Sequence, residues 1–247
     1  MKEEYHKWRA QYLDRDFELL VFGHAGLPVI LFPPAKSRFY EAKDNGIITA
    51  ASGLIDAGRI KIYCPDTADS DSWFDFDIHP GERARRYIGY ENVVLYDILN
   101  FARHETEFDK VCLAGCGFGA YHAANFAFKH PDLVCSVITM GGTFNIKPYI
   151  YGYYDDNCYF NNPPDYLPGL NDPWYLDKFR EMNIILGTGE LDVNLRENKN
   201  ISSILNNKNI PHLLDIRGNS DHHWYWWDQM FPEYLSMILQ SPAHPHE

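Results

Sequence analysis

The sequence predicts an α/β protein in which a mainly parallel sheet, with an antiparallel hairpin at its N-terminal edge, is covered by helices on both faces. Apolar runs of strand length recur along the chain, Gly, Pro or Asp bounds most of them, and helix-like stretches separate many of them. With 247 residues and 45% hydrophobic side chains, the chain can form one large core. Neither a repeat nor a low-complexity linker divides it, so residues 1–247 are expected to form a single domain.

The predicted elements begin with an antiparallel pair, Tyr5–Tyr12 and Phe17–Phe22, around the polar turn Asp14-Arg15-Asp16. The later strands are apolar and β-branched, and most are expected to be buried on both faces: Val29–Phe32, Ile60–Cys64, Val111–Ala114, Val134–Met140, Ile184–Leu186 and Leu213–Ile216. The helix-like stretches are long enough to connect parallel strands: Glu82–His104, Ala120–Lys129, Asn194–Leu205 and Trp226–Leu239. This alternation indicates a parallel sheet covered on both faces.

Residues 144–177 depart from the alternation. The segment contains five prolines and many Tyr and Asn residues, without strong periodicity. A segment of this length in a compact domain is usually a functional loop or a lid, so a lid-like or long-loop insertion over a site is one interpretation. A surface excursion is the other, and the sequence does not decide between them. Its tyrosines could line an aromatic or sugar site, or serve only in packing.

Charge and composition exclude several classes of function. Twenty-two basic against 34 acidic residues give a net charge of −12, which repels phosphate backbones and anionic lipid, so neither nucleic acid nor membrane is an expected partner. No secretory signal and no 18-residue apolar run is present in the sequence, so a cytoplasmic location is expected. The five cysteines contain no CxxC pair, and we expect no disulfide framework, no metal site and no cofactor. A homo-oligomer is neither required nor excluded.

The most informative segment, residues 111–122, passes from a buried strand through a glycine-rich turn into a helix. From Gly115 to Ala120 it matches the dinucleotide pattern, in which glycines let the backbone approach a pyrophosphate. That pattern also requires an acidic residue about 20 positions later, at the end of the next strand. Residues 139–142 end the next strand without a carboxylate. Nucleotide binding is therefore the weakest interpretation.

Gly115 to Gly119 also match the G-x-S-x-G nucleophile elbow, with glycine at the central position. In proteins with this elbow an acid and then a histidine follow along the chain. Asp192 follows one buried strand and His222 follows the last strand, so both are expected at the carboxyl edge of the sheet, where such sites form. Glu190 and Asp221 are rival acids. His222 alone would be taken as a structural histidine among aromatic residues, and only the combination is specific.

These residues resemble the α/β-hydrolase esterases of the esterase-D and antigen-85-like type. The likeness covers nearly the whole chain; besides the hairpin, the elbow and the acid and histidine loops, it includes residues 21–24, 32–34, 121–127 and 152–157. In those relatives the elbow reads G-C-S-F-G-G and an Asp follows the histidine. This chain departs from that pattern at three positions: Gly117 replaces the serine, Ala120 replaces the second glycine, and His223 replaces the Asp. The first departure falls on the nucleophile itself.

The resemblance implies that Asp192 orients the base and that His222 is the general base. It also implies that Phe118 and Ala35 offer backbone N–H groups to an oxyanion hole. Gly117 has no side chain and cannot supply a nucleophile.

Cys116 is expected not to replace the serine. It stands one residue early on the strand, where adjacent side chains point to opposite faces, so its thiol should point away from His222. Loss of the serine from a working triad costs on the order of a millionfold in turnover, so acyl-enzyme catalysis is expected to be absent. Three hypotheses remain: a non-catalytic homologue that binds an ester, acyl or sugar ligand; general-base catalysis by His222 with Asp192; and nucleotide binding.

Two charged clusters are expected to be solvated rather than functional. One is the basic group Arg83, Arg85 and Arg86, at the start of a predicted helix. The other is an acidic run that lacks the glycine and terminal Glu of a calcium loop; it consists of Asp66, Asp69, Asp71, Asp75 and Asp77.

Overall fold

The computed structural model describes residues 1–240. Eight strands of the described residues form one sheet in the order β1-β2-β4-β3-β5-β6-β7-β8. The strands are β1 (Glu3–Ala10), β2 (Arg15–Phe22), β3 (Leu27–Phe32), β4 (Ile60–Pro65), β5 (Val111–Cys116), β6 (Val134–Met140), β7 (Asn183–Gly189) and β8 (Leu213–Arg217). Strand β2 is antiparallel to β1 and β4, and all other pairs are parallel. The predicted architecture is therefore confirmed.

The N-terminal hairpin differs from the prediction in its turn. Glu3 pairs with Phe22 and Ala10 pairs with Arg15, so the turn consists of residues 11–14 and the strand already includes Arg15 and Asp16. The prediction placed the turn at the polar residues. It was wrong because the start of β2 extends beyond its pairing with β4, so charged side chains there stay in water while their backbone pairs with β1.

The sheet separates two apolar cores because successive side chains point to opposite faces. On one face Phe32 and Leu113 join Trp73, Phe118 and Tyr121; we call this the α6 core, after the helix α6 (Phe118–Lys129). On the other face Cys116 and Met140 join the last described helix, α11 (Trp224–Gln240), whose buried residues include Trp227 and Phe231; we call this the α11 core. Strands β3 to β6 are buried on both faces, as predicted, whereas β8 is partly exposed.

Helices cover both faces. They are α1 (Glu41–Asp44), α2 (Ile47–Ala50), α3 (Ser52–Asp56), α4 (Pro80–Asn92), α5 (Leu99–Thr106), α6 (Phe118–Lys129), α7 (Asp156–Tyr159), α8 (Pro163–Gly169), α9 (Pro173–Glu181), α10 (Leu195–Asn207) and α11 (Trp224–Gln240). The predicted helix over residues 82–104 is α4, a π-helical stretch at Val93–Ile98, and α5 in succession. No helix within residues 1–240 is long and apolar enough to cross a bilayer.

The segment 144–177 is more regular than its sequence suggests. It contains α7 and α8 and the start of α9, and many of its apolar side chains, such as Phe144, Ile146 and Leu167, pack in the α6 core. Asn161 and Asn162 hold it from within: the Asn161 carbonyl accepts from the Tyr121 hydroxyl, and Asn162 Oδ1 accepts from the N–H of Ile146. These side-chain hydrogen bonds order the segment although its sequence has no strong periodicity. Its role as a lid stays a prediction.

The expectation that both charged clusters are solvated is wrong for part of each. Asp66 and Asp69 are buried, and so is Arg83. Arg83 donates to the carbonyls of Ile78 and Tyr149, which compensates its burial. Polarity alone did not distinguish these side chains from their exposed neighbours.

Candidate functional site

The turn from β5 into α6 has the geometry of a nucleophile elbow. Gly117 lies at its apex with φ 56° and ψ −114°, a conformation that favours glycine. Its N–H donates to the carbonyl of Met140 at 2.9 Å, which ties the turn to β6. Strand and helix lie so close that a Cβ on Gly115 would be 2.1 Å from the Gly119 carbonyl oxygen. Glycines at 115 and 119 therefore allow the tight turn.

The side chain that Gly117 lacks would point at His222. An ideal Cβ at position 117 lies 3.2 Å from His222 Nε2 and 3.7 Å from Pro34 Cβ. A hydroxyl carried by that Cβ would lie within hydrogen-bond reach of the imidazole. The elbow and the histidine loop are thus aligned for a nucleophile and its base.

His222 lies in the connection between β8 and α11, and Asp192 lies in the loop after β7. The His222 Nδ1 atom is 3.1 Å and 3.2 Å from the two Asp192 carboxylate oxygens. The Asp192 side chain is 1% exposed, whereas the His222 side chain is 30% exposed. The Trp227 ring packs edge-on against the imidazole, with centroids 4.9 Å apart. A buried carboxylate on Nδ1 directs the Nε2 atom toward position 117.

The rival acids do not reach the histidine. Glu190 Oε2 instead accepts from the N–H of Asn219 at 3.2 Å, and Asp221 is exposed. Of the three candidate carboxylates, the structure brings Asp192 to His222.

Two residues that the sequence analysis did not single out support the acid. The N–H of Asn194 donates to Asp192 Oδ1 at 2.8 Å, and its amide donates to the Gly141 carbonyl at 2.9 Å. Gly141 permits the close approach, because a Cβ there would lie 2.6 Å from Asp192 Oδ2 and 2.9 Å from His222 Nδ1. A glycine pair directly after a buried strand was the available signal.

The loop after β3 lies against the start of α6. A Cβ on Gly119 would be 2.3 Å from the Phe32 carbonyl oxygen, so Ala35 and Phe118 belong to segments in close contact. Among the described residues, no hydrogen-bond partner is found for the N–H of Ala35 or of Phe118. Both residues therefore carry unpaired backbone donors in segments that lie next to each other.

Cys116 lies on the other side of the sheet. Its side chain packs in the α11 core, 1% exposed, and burial raises the pKa of its thiol well above the ordinary value. A thiolate is disfavoured there, so Cys116 is a packed thiol. No group of three His, Cys, Asp or Glu side chains within residues 1–240 is arranged to hold a metal ion.

The sheet order, the elbow and the two loops define the α/β-hydrolase fold. No family model matches the chain, and no curated protein matches it either. Solved structures do match. A ferulic acid esterase has a TM-score of 0.80 at 16% identity, with 97% of each chain covered. The S-formylglutathione hydrolase of Staphylococcus aureus has a TM-score of 0.72 at 15% identity, covering 97% of this chain and 99% of that one.

A third match is the feruloyl esterase module of Clostridium thermocellum, a serine-to-alanine mutant complexed with sinapinate. Its TM-score is 0.70 at 10% identity, covering 100% of this chain and 90% of that one. At such identities the similarity shows the fold, and this chain has the fold of these esterases.

Proposed function

We propose that this chain is an esterase-family relative that keeps the acid, base and oxyanion framework of a carboxylic ester hydrolase but lacks the nucleophile. It binds an ester or acyl ligand and is inactive or strongly impaired as a serine esterase. The observation that carries the proposal is the 3.2 Å between the Cβ position of Gly117 and His222 Nε2. A serine side chain would place its hydroxyl there, and Gly117 places none.

The groups that would orient and bind a ligand contribute free energy that does not depend on the nucleophile. Removing the nucleophile from a working triad lowers turnover by about a millionfold, while the oxyanion donors and binding alone retain roughly 10³–10⁴ over water. The groups assigned to orientation, Asp192 and His222, and the N–H groups of Ala35 and Phe118 do not depend on the serine. Loss of the serine therefore removes acyl transfer but leaves the groups that bind a ligand.

The side chains beside the elbow favour an aromatic acyl group. The ring centroids of Phe118 and Phe74 are 4.9 Å apart, and those of Phe74 and Tyr149 are 4.8 Å apart. Lys36 Nζ lies 5.4 Å from the Phe74 ring centroid, next to this apolar cluster. Phe118 is buried, so the partly exposed Phe74 and Tyr149 rings are the ones that can pack against a flat apolar ligand, and a cation beside them attracts a carboxylate or phenolate. The names of two structural neighbours, a ferulic acid esterase and a feruloyl esterase complexed with sinapinate, support the same ligand class.

The test compares the natural chain with Gly117→Ser on p-nitrophenyl acetate and methyl ferulate. Gly117→Ala is the matched control, because it adds the same Cβ without a hydroxyl. We expect Gly117→Ser to hydrolyse at least one ester at least about 10³-fold faster than the other two proteins, and a fully restored triad would approach the millionfold difference. The gain should disappear in the double variant Gly117→Ser/His222→Ala. Equal background rates for Gly117→Ser and Gly117→Ala on both esters would contradict an intact framework.

General-base catalysis by His222 without a covalent intermediate is the second candidate. The observation in its favour is that His222 is partly exposed and its Nε2 atom faces a position without a side chain, which leaves room for a water molecule. In this case the natural chain itself would turn over, and His222→Ala would abolish the activity. Mass spectrometry during turnover would detect no acyl-enzyme.

A further inference from the structure

A second His–Asp pair lies behind the elbow. His122 Nε2 is 2.8 Å from Asp69 Oδ1, and the two side chains are 2% and 0% exposed. Tyr87 stacks on the His122 ring, and Phe118 packs edge-on against it. The pair is too enclosed to meet a substrate, so any function it has is exerted through its neighbours.

The other oxygen of Asp69 reaches the loop that follows β3. Asp69 Oδ2 accepts from the N–H of Lys36 at 2.9 Å. Lys36 has φ 57°, an uncommon left-handed conformation for a residue with a side chain. One carboxylate therefore binds α6 through His122 on one side and the loop on the other, and it holds a strained backbone position in place.

This loop has few backbone donors to offer. Pro33 and Pro34 have no N–H, and Asp69 occupies the N–H of Lys36. The N–H of Ala35 remains, directly before the residue that Asp69 holds. The N–H of Phe118 is the first of helix α6, which also contains His122.

We propose that Asp69 is a positioning residue of the oxyanion site, which sets the separation of the Ala35 and Phe118 N–H groups by holding Lys36 and His122 at once. The inference rests on the proposed function, in which these two groups face the carbonyl oxygen of an ester or acyl ligand. Asp69 touches no reacting atom. It acts because oxyanion stabilisation depends on donors fixed before the charge develops.

His122 is suited to such a connection. Its Nδ1 atom is buried without a hydrogen-bond partner among the described residues. A proton on that atom would be an unpaired buried donor, so the proton is assigned to Nε2, which donates to Asp69. The tautomer and the ring packing both direct the hydrogen bond toward the carboxylate.

The first arm of the test uses the natural chain and needs no activity. Amide hydrogen exchange of residues 33–38 is compared in wild type, Asp69→Asn and Asp69→Ala. We expect the Lys36 amide to exchange at least tenfold faster in Asp69→Ala than in wild type. The increase should be smaller in Asp69→Asn, because the amide oxygen of Asn can still accept a hydrogen bond from the Lys36 N–H. Glu91→Gln is the control, because buried Glu91 forms another carboxylate–histidine contact with the partly exposed His130, at the far end of α6.

The second arm places the same changes in Gly117→Ser. We expect Asp69→Ala to lower kcat about 100-fold with KM changed less than threefold, Asp69→Asn to recover part of the loss, and Glu91→Gln to leave kcat within twofold. Unchanged kcat in Asp69→Ala would overturn the proposal, and so would unchanged Lys36 exchange. An inactive Gly117→Ser would contradict the proposed function instead, and Lys36 exchange would then decide the role of Asp69.

Discussion

The backbone of Gly117 and the direction of its absent side chain bear on stability as well as on chemistry. Esterase-type elbows place a residue with a side chain in a conformation that favours glycine, and such strain costs on the order of 1–3 kcal/mol. With glycine at the apex, this chain avoids that cost. The turn can therefore carry a nucleophile or be free of this backbone strain, but not both.

At the residue scale we expect Gly117→Ala to lower the free energy of unfolding by about 1–3 kcal/mol, since the new Cβ is strained and lies 3.2 Å from His222 Nε2. Gly117→Ser should lose about 1 kcal/mol less, because its hydroxyl can bond to the imidazole. Urea denaturation of the three proteins measures both differences. Equal stability of glycine and alanine at position 117 would show that the turn is not strained.

Close packing between elements depends on glycines at the crossing of β3, β5 and α6. A Cβ on Gly119 would lie 2.3 Å from the Phe32 carbonyl oxygen and 2.4 Å from that of Pro33, both rigid backbone atoms. Gly53 in α3 has no atom within 4 Å of its Cβ position. A glycine-to-alanine substitution would therefore clash with backbone atoms at position 119 but meet open space at position 53.

At the element scale Gly119→Ala should lower stability by about 2–3 kcal/mol, because strand and helix must separate. Gly53→Ala should raise stability by roughly 0.5–1 kcal/mol, because it removes freedom from the unfolded chain without a clash. Thermal and urea unfolding of both variants give the signs. A neutral Gly119→Ala would contradict the close contact of α6 with the loop after β3.

The C-terminal end of α6 provides a pH-dependent contact with α4. Burial opposes ionisation of Glu91, but hydrogen bonds and charges from His130 and Lys129 outweigh it and lower the pKa of Glu91 below its ordinary value of 4.5. A lowered folded-state pKa stabilises the protein above the unfolded value, and this stabilisation is lost as the pH falls through the folded pKa. We therefore expect the stability lost between pH 6 and pH 3 to be smaller in Glu91→Gln than in wild type. Urea midpoints at the two pH values measure it, and equal losses would contradict the ionic contact.

For the whole molecule we propose that one sheet with a core on each face unfolds as a single domain. Trp73 is buried in the α6 core and Trp227 in the α11 core, so each reports on one face. Labelling with fluorotryptophan, with Trp73→Phe and Trp227→Phe for assignment, should give ¹⁹F signals that disappear over the same range of urea. Separate midpoints would show that the two faces are independent folding units.

The sequence was informative about the molecule where chemistry follows chain order or strand periodicity. Apolar runs predicted the strands, and the order of elbow, Asp192 and His222 predicted residues that the fold brings together. The sequence did not identify the pairing of Asp69 with His122, because Asp69 stands among acidic neighbours that are partly solvated. Burial depends on tertiary packing, which a local pattern does not contain.

With no hydroxyl at the apex and the nearest thiol on the far side of the sheet, the elbow offers no atom that could be acylated or phosphonylated. Under the proposed function, fluorophosphonate probes, which tag serine hydrolases by covalent capture, would not label this protein. A bound ligand would then leave by dissociation alone, so its residence time would depend on koff and not on deacylation.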